Sequence, residues 1–290
     1  MGISLPDKTI KLLYVNHSQL TAVERLQTLI ADNQLPITLD VERIEGKIKQ
    51  RLAALNAEGE QAALLLDNKN KLSLLKDGLS VAPEWDKLQR RVVSAGRKSE
   101  LILKAAKISA DSQVIDATAG FGHDSLILAS TGAQVMMLEQ EPLMALLLFS
   151  EQQRMSAQPN WQKLMARLTI INTDALSYFA QLQKNTTDQA VAVDVVYLDP
   201  MFPEDSYQDS KTGKGAKVGK QMQALHHLAH PPTLDEEMAL LNKAQAVVAD
   251  NQEGRGRVIV KRPQQAPFLS QQNPDESWHN AAVRFDGYFV

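Results

Sequence analysis

From about residue 111 onward, short apolar runs alternate with longer stretches of helical patterning. The runs at 113–117, 134–139, 168–171, 194–198 and 257–261 are rich in Val, Ile and Leu and read as strands. Between them, 124–130, 142–153, 175–183 and 234–248 read as helices. Strands separated by helices imply right-handed crossovers and a mainly parallel sheet. The pattern predicts an α/β domain. The end of the chain, 278–285 and then 287–290, reads as two strands around Asp286-Gly287, a turn-favouring pair. An antiparallel pair closing one sheet edge is expected there.

The first 80 or so residues are patterned differently. Strands are predicted at 11–16, 37–41, 62–67 and 71–76, with Asp67-Asn68-Lys69-Asn70 as a hairpin turn. Helices are predicted at 20–32 and 41–55, so Val41 falls in both a strand and a helix. These elements suggest a small α+β domain over residues 1–85, followed by a larger domain over 86–290. There are no internal repeats.

Composition narrows the class. At 44% hydrophobic and 22% charged residues, the chain has the balance of an ordinary soluble domain. It has no cysteine, which excludes disulfides and thiolate metal sites. The first ten residues lack a basic stretch followed by an apolar one, and the apolar run at 143–149 is too short to span a bilayer. A cytoplasmic protein with no membrane partner is expected. The net charge of −3 argues at first against nucleic acid. Its distribution changes the picture: Lys and Arg concentrate in 87–107, 211–220 and 254–262, where Glu100 is the only acid. Such clusters bind phosphates even on an anionic protein. Solvated surface is the alternative for each.

Two stretches carry chemistry. In the first, Asp116 ends a strand, and Gly120 and Gly122 follow before a helix. Strand, tight turn and helix in that order open a nucleotide-binding fold, whose ligand lies beyond the carboxyl ends of the strands. Glycines there let the backbone approach the ligand and adopt φ > 0. A dinucleotide fingerprint needs a third glycine where this chain has Ser125, and it cradles a pyrophosphate that Asp124 would repel. Asp124 suits an ammonium instead, such as the methionyl end of S-adenosylmethionine. Glu139 ends the next strand, where a carboxylate accepts both ribose hydroxyls. Asp174 and Ala175 follow the third strand, placed for the adenine amino group and a ring nitrogen. Each acid also has a plainer reading as a helix N-cap.

The second stretch, Val195 to Pro203, ends a strand in Asp199-Pro200-Met201-Phe202. An exocyclic amine is a poor nucleophile because its lone pair is delocalised into the ring. Acceptors on its N–H groups draw the nitrogen toward sp³ and aim the lone pair. Asp199 and the Pro200 carbonyl supply acceptors, and Phe202 supplies a stacking face. Positioning carries such a reaction more than a strong base does. A turn that merely ends the strand is the alternative. The 204–219 segment after it is polar and glycine-rich, and it reads as a loop over the site or a tolerated insertion.

In these motifs the chain resembles the bacterial 16S ribosomal RNA guanine-N2 methyltransferases of the small-subunit methyltransferase J type. The matching pieces are 116–122 with Asp124, 196–203, Val260-Lys261-Arg262-Pro263 and Arg284-Phe285-Asp286. The resemblance implies a class I, Rossmann-like methyltransferase fold, S-adenosylmethionine as donor, and N2 of a guanine in 16S rRNA of the small subunit as acceptor. It carries cofactor contacts onto His123, Asp124, Glu139, Gln140, Asp174, Ala175 and Asp199. The family has Arg where this chain has His123 and Gln140, which removes two positive charges near the cofactor. Arg90, Arg91, Arg97 and Lys98 are expected to grip rRNA. Lys261 and Arg262 read as phosphate contacts or a solvated strand end. His226 and His230, four apart, lack a third ligand, and no metal site is expected. Rival readings are an enzyme acting on DNA adenine or a protein glutamine, or a non-catalytic RNA-binding assembly factor.

Overall fold

The computed structural model describes residues 8–57, 62–76, 79–95, 100–184, 192–201, 231–248 and 256–290. Phe202, Arg97, Lys98, the lysines of 211–220, His226 and His230 lie outside the described residues.

Two sheets form. The first has the order β2-β1-β3-β4-β5, from β1 (Lys8–Tyr14), β2 (Ile37–Arg43), β3 (Ala62–Leu66), β4 (Leu72–Lys76) and β5 (Leu79–Val81). Helix α1 (Leu20–Asp32) joins β1 to β2 and α2 (Ile48–Ala57) joins β2 to β3, and both neighbours of β1 run parallel to it. Val41 belongs to the strand, paired with Leu12, and the helix begins seven residues later at Ile48. A β-branched residue in a paired strand satisfies its backbone there and leaves no helix to start at 41. The β3–β4 turn forms as expected: Asp67 Oδ1 accepts from the N–H of Lys69 and Lys71, and Asn70 takes the left-handed conformation at φ 57°.

Short helices α3 (Gln89–Ser94) and α4 (Leu101–Ala106) lead into the second sheet. That sheet comprises β6 (Gln113–Asp116), β7 (Gln134–Glu139), β8 (Leu168–Asn172), β9 (Val195–Leu198), β10 (Arg257–Pro263), β11 (Glu276–His279) and β12 (Val283–Phe289). Its order is β11-β12-β10-β9-β6-β7-β8. Pairs β6–β7, β7–β8, β6–β9 and β9–β10 are parallel, and β12 is antiparallel to both neighbours. The crossovers carry α5 (His123–Ala129), α6 (Pro142–Ser156) with the short α7 (Gln162–Met165), α8 (Ala175–Lys184) and α9 (Leu234–Val247). The chain reverses strand order between β6 and β9, which opens a crevice beyond their carboxyl ends.

The closing hairpin turns elsewhere than Asp286-Gly287. Both residues lie inside β12, and Asn280 makes the turn by accepting the N–H groups of Ala282 and Val283 on its side chain. Gly287 has a packing reason instead: a Cβ there would lie 2.9 Å from the Trp278 ring.

One buried cluster runs through both sheets. Leu12, Leu64 and Leu74 of the first and Val135 and Met137 of the second belong to it, with the fully buried face of α6 between. Trp85, also fully buried, sits where the chain passes from one sheet to the other.

Candidate functional site

The carboxyl ends of β6, β7, β8 and β9 surround a cavity of about 530 Å³, with residues from α5, α9 and β10 completing its wall. That volume lies in the range of small-molecule sites.

The strand ends are stitched together by their own acids. Asp116, buried at the end of β6, accepts from the Thr118 N–H at 3.2 Å and from the Ser125 hydroxyl, which folds strand, turn and helix onto one carboxylate. Glu139 accepts from Gly120 N–H at 3.0 Å on one oxygen and from Glu141 N–H at 2.8 Å on the other. A carboxylate has about four acceptor sites, so both oxygens retain capacity for a ribose. Asn172 ties β8 to β7 by donating to the Glu139 carbonyl at 2.8 Å. Burial pushes both Asp116 and Glu139 up to about 7, against hydrogen bonds that lower them.

The two glycines do different work. Gly120 has φ 53°, lines the cavity, and would place a Cβ no nearer than 4.0 Å to any atom. Its open side fits close approach of a ligand. Gly122, expected at the ligand, does not line the cavity. At φ 72° its missing Cβ would lie 2.6 Å from Met137 Cε and 3.0 Å from the Trp85 ring, so packing and conformation both demand glycine. Next to it, His123 lines the cavity and donates Nε2–H to the Pro83 carbonyl at 2.6 Å. Burial lowers its pKa, so the imidazole is held neutral.

Gln140, Asp174 and Ala175 also line the cavity. Asp174 Oδ1 accepts the Ser177 N–H at 2.8 Å, capping α8, so the plainer role exists beside any role in binding.

Asp199 and the buried Pro200 follow β9 into the same cavity. The Asp199 N–H donates to Thr118 Oγ1 at 2.6 Å, fixing this strand end to the glycine turn. Lys261 Nζ lies 2.8 Å from both Asp199 Oδ2 and Asp124 Oδ2, and the latter also accepts from the Tyr197 hydroxyl at 2.8 Å. Burial works against the Lys261 ammonium, yet the two carboxylates hold its pKa well above the ordinary lysine value. Burial also opposes ionisation of Asp124, but Lys261, Tyr197 and Arg91 together hold it below the usual value. For Asp199, burial wins and the pKa rises despite Lys261.

The basic residues divide. Lys261 is not a solvated strand end: its charge is committed inside the cavity. Arg262, expected at a phosphate, is 3% exposed in its side chain and donates to Glu237 of α9 at 2.8 Å. A buried, paired guanidinium is not presented to RNA. Arg90 is exposed on α3, while Arg91 makes a two-point pair with Glu100 at 3.1 Å and reaches to 3.9 Å from Asp124. Thr118, Tyr197 and Trp85 were not singled out from sequence. A tyrosine in an otherwise aliphatic strand, two residues before Asp199, was the signal available for Tyr197.

Comparison with known proteins agrees with this geometry. A family model described as a putative SAM-dependent methyltransferase matches residues 38–290. The ribosomal RNA small subunit methyltransferase J of Psychrobacter cryohalolentis is 69% identical over 288 residues, covering 98% of this chain and 97% of that one. Its namesake in Acinetobacter baumannii strain ACICU is 38% identical over 254 residues, covering 87% and 85%. The crystal structure of a SAM-dependent methyltransferase from Neisseria gonorrhoeae superposes with a TM-score of 0.64 at 27% identity, covering 96% and 95%. The open Gly120 turn, the three acidic strand ends and the cavity size all suit S-adenosylmethionine, and the chain belongs to the ribosomal RNA small subunit methyltransferase J family of S-adenosylmethionine-dependent methyltransferases.

Proposed function

We propose that this chain methylates the exocyclic N2 of a guanine in 16S rRNA, as part of the small ribosomal subunit in the bacterial cytoplasm. The observation that carries the reading is the shared cavity: Asp199-Pro200 opens into the same space as Gly120, Glu139 and Asp174. Donor and acceptor sites are therefore contiguous. The relatives' name supplies ribosomal small-subunit RNA as the acceptor class. Guanine N2 rests on the Asp-Pro-Met-Phe strand end, together with the family resemblance.

In this reading Glu139 accepts the ribose hydroxyls, Asp174 and the Ala175 N–H meet the adenine, and Asp116 holds the turn that shapes the site. Bound S-adenosylmethionine supplies a methyl carbon made electrophilic by its sulfonium. Asp199 and the Pro200 carbonyl accept the two N2–H groups and orient the lone pair at that carbon. S-adenosylmethionine held there would give up that carbon to the nitrogen and keep the C–S electron pair on its sulfur. The methylated nitrogen is then strongly acidic and gives its proton to the Asp199 carboxylate, from which it passes to solvent. Phe202 stacks on the guanine. Arg90, Arg91, Arg97 and Lys98 contact phosphates along the approach, a contribution that weakens with salt. The sheet within 1–85 helps dock the RNA.

The test is tritiated-methyl transfer from S-adenosylmethionine to unmodified small subunits, free 16S rRNA, DNA and total protein in parallel. Label released from 16S rRNA as N2-methylguanosine is expected. Label in DNA or protein alone would overturn the acceptor, and the two RNA arms tell free rRNA from the assembled subunit.

A further inference from the structure

Among the described residues lining the cavity, Lys261 is the only lysine or arginine. It sits one residue beyond the paired run of β10 and β9, where Val260 lies opposite Leu198, and this brings it alongside Asp199. Its ammonium spans from the cofactor helix to the acceptor strand, 2.8 Å from Asp124 and from Asp199. Asp124 Oδ2 is shared with the Tyr197 hydroxyl, which anchors the far end of the bridge. At the near end Lys261 takes Oδ2 of Asp199, while the Asp199 N–H holds the backbone on Thr118. Asp199 Oδ1 has no hydrogen-bond partner among the described residues.

We propose that Lys261 is a positioning residue for methyl transfer, whose ammonium fixes Asp199 by one oxygen and opposes its protonation, so that the other oxygen accepts the N–H of the target amine. This rests on the acceptor role given to Asp199 above. The need for a cation follows from the surroundings. Facing Asp199 are Asp124 of α5, Asp116 of β6 and the Tyr197 hydroxyl of β9, while Arg262 of β10, paired with Glu237 of α9, adds a favourable charge weaker than that of Lys261. Glu236 of α9 and His123 of α5 also line the space, and Arg91 of α3 reaches Asp124 rather than Asp199. Without Lys261, Asp199 is a half-buried carboxyl beside other carboxyl groups, a setting that favours the protonated form. A protonated Asp199 is a weaker acceptor for the amine N–H and cannot receive its proton. Asp124 thereby gains a role besides cofactor contact, as the counterweight that holds the ammonium in place.

The test compares Lys261→Met, Lys261→Arg and Asp124→Asn by two readouts. The first is the titration midpoint of Asp199 in protein carrying ¹³C-labelled aspartate, assigned with Asp199→Asn; it needs neither cofactor nor RNA. The second is the pH profile of kcat on small-subunit RNA. Lys261→Met should raise the midpoint by about one pH unit or more and move the acid limb of kcat up with it. Lys261→Arg should keep both near wild type, and KM for S-adenosylmethionine should change by less than roughly threefold. Asp124→Asn, which leaves the ammonium to Asp199 alone, should lower the midpoint and serves if Lys261→Met does not fold. An unmoved midpoint in folded Lys261→Met, a raised one in Asp124→Asn, or a pH-independent loss of kcat equal in Met and Arg variants would overturn the proposal. If the midpoints shift as expected but wild-type protein does not methylate RNA, the acceptor reading fails and the bridge stands.

Discussion

Trp85 donates its indole Nε1–H to the Phe121 carbonyl at 2.7 Å, across 36 residues of sequence. Its own N–H is taken by Glu151 of α6, itself paired with Arg154, and two residues earlier the Pro83 carbonyl receives His123. The segment joining the two sheets is thus the back wall of the glycine turn. Replacing Trp85 by Phe keeps most of the packing and leaves the buried Phe121 carbonyl without that donor. A loss of about 1–3 kcal/mol is expected, measured as a lower urea midpoint at unchanged slope. Affinity for S-adenosylmethionine should fall as well, because the same carbonyl belongs to the turn that lines the cavity.

The glycines of that turn should separate fold from function. Gly122→Ala forces a side chain into a left-handed backbone and against Met137. It should destabilise by about 1–3 kcal/mol. Gly120→Ala meets open space at its Cβ and should cost about 1 kcal/mol from backbone strain alone. Its Cβ would occupy room at the ligand, so calorimetric titration should show weakened cofactor binding in a protein that melts nearly normally.

These contrasts mark what was legible in the sequence. The parallel strands of the second sheet showed as short Val- and Ile-rich runs, because strands buried on both faces carry an unbroken apolar signal. Acids at their ends stood out against those apolar runs, although Asp116 and Glu139 are themselves buried. What failed were inferences from local character about distant partners. Lys261 and Arg262 read as phosphate contacts or a solvated strand end because both are basic in a basic stretch, yet they have partners 137 and 25 residues away. Asp286-Gly287 has turn chemistry, but Gly287 is there to clear Trp278 and Asp286 to hold Arg284 at 2.8 Å. Nothing near residue 287 announces an indole packed across the sheet.

Gly287→Ala follows from that packing. A methyl group 2.9 Å from the Trp278 ring must displace it or bend β12. Destabilisation of about 1–3 kcal/mol is expected, together with a change in tryptophan fluorescence. A turn glycine at a positive φ would instead lose stability without disturbing the indole, so the spectrum decides between the two roles.

Asp199→Ala should abolish methyl transfer and leave cofactor binding measurable. In the proposed reading its carboxylate meets the target amine, while Glu139 and Asp174, which also line the cavity, meet the donor. Filter-binding of labelled S-adenosylmethionine beside a transfer assay measures both quantities on one preparation. Normal turnover in the variant would remove Asp199 from the reaction.

Glu139 provides a pH dependence whose sign can be worked out. Burial raises its pKa from 4.5 to about 7, so between those values the folded protein holds a proton that the unfolded chain has lost. Stability associated with this group is therefore present below pH 4.5 and declines as pH rises toward 7. Asp116, also raised to about 7, acts in the same direction. Glu139→Gln, which cannot ionise, should flatten part of the decline, measured as a smaller difference between melting temperatures at pH 6 and pH 8. Cofactor binding runs the other way. Two ribose hydroxyls need an acceptor, so the ionised form binds, and affinity should climb as pH rises through about 7. Calorimetry near pH 6.5, in buffers of different ionisation enthalpy, should then show a proton released on binding by the wild type and not by Glu139→Gln. A carboxylate that merely ties Gly120 to β7 would release none, because its own hydrogen bonds are complete before the ligand arrives.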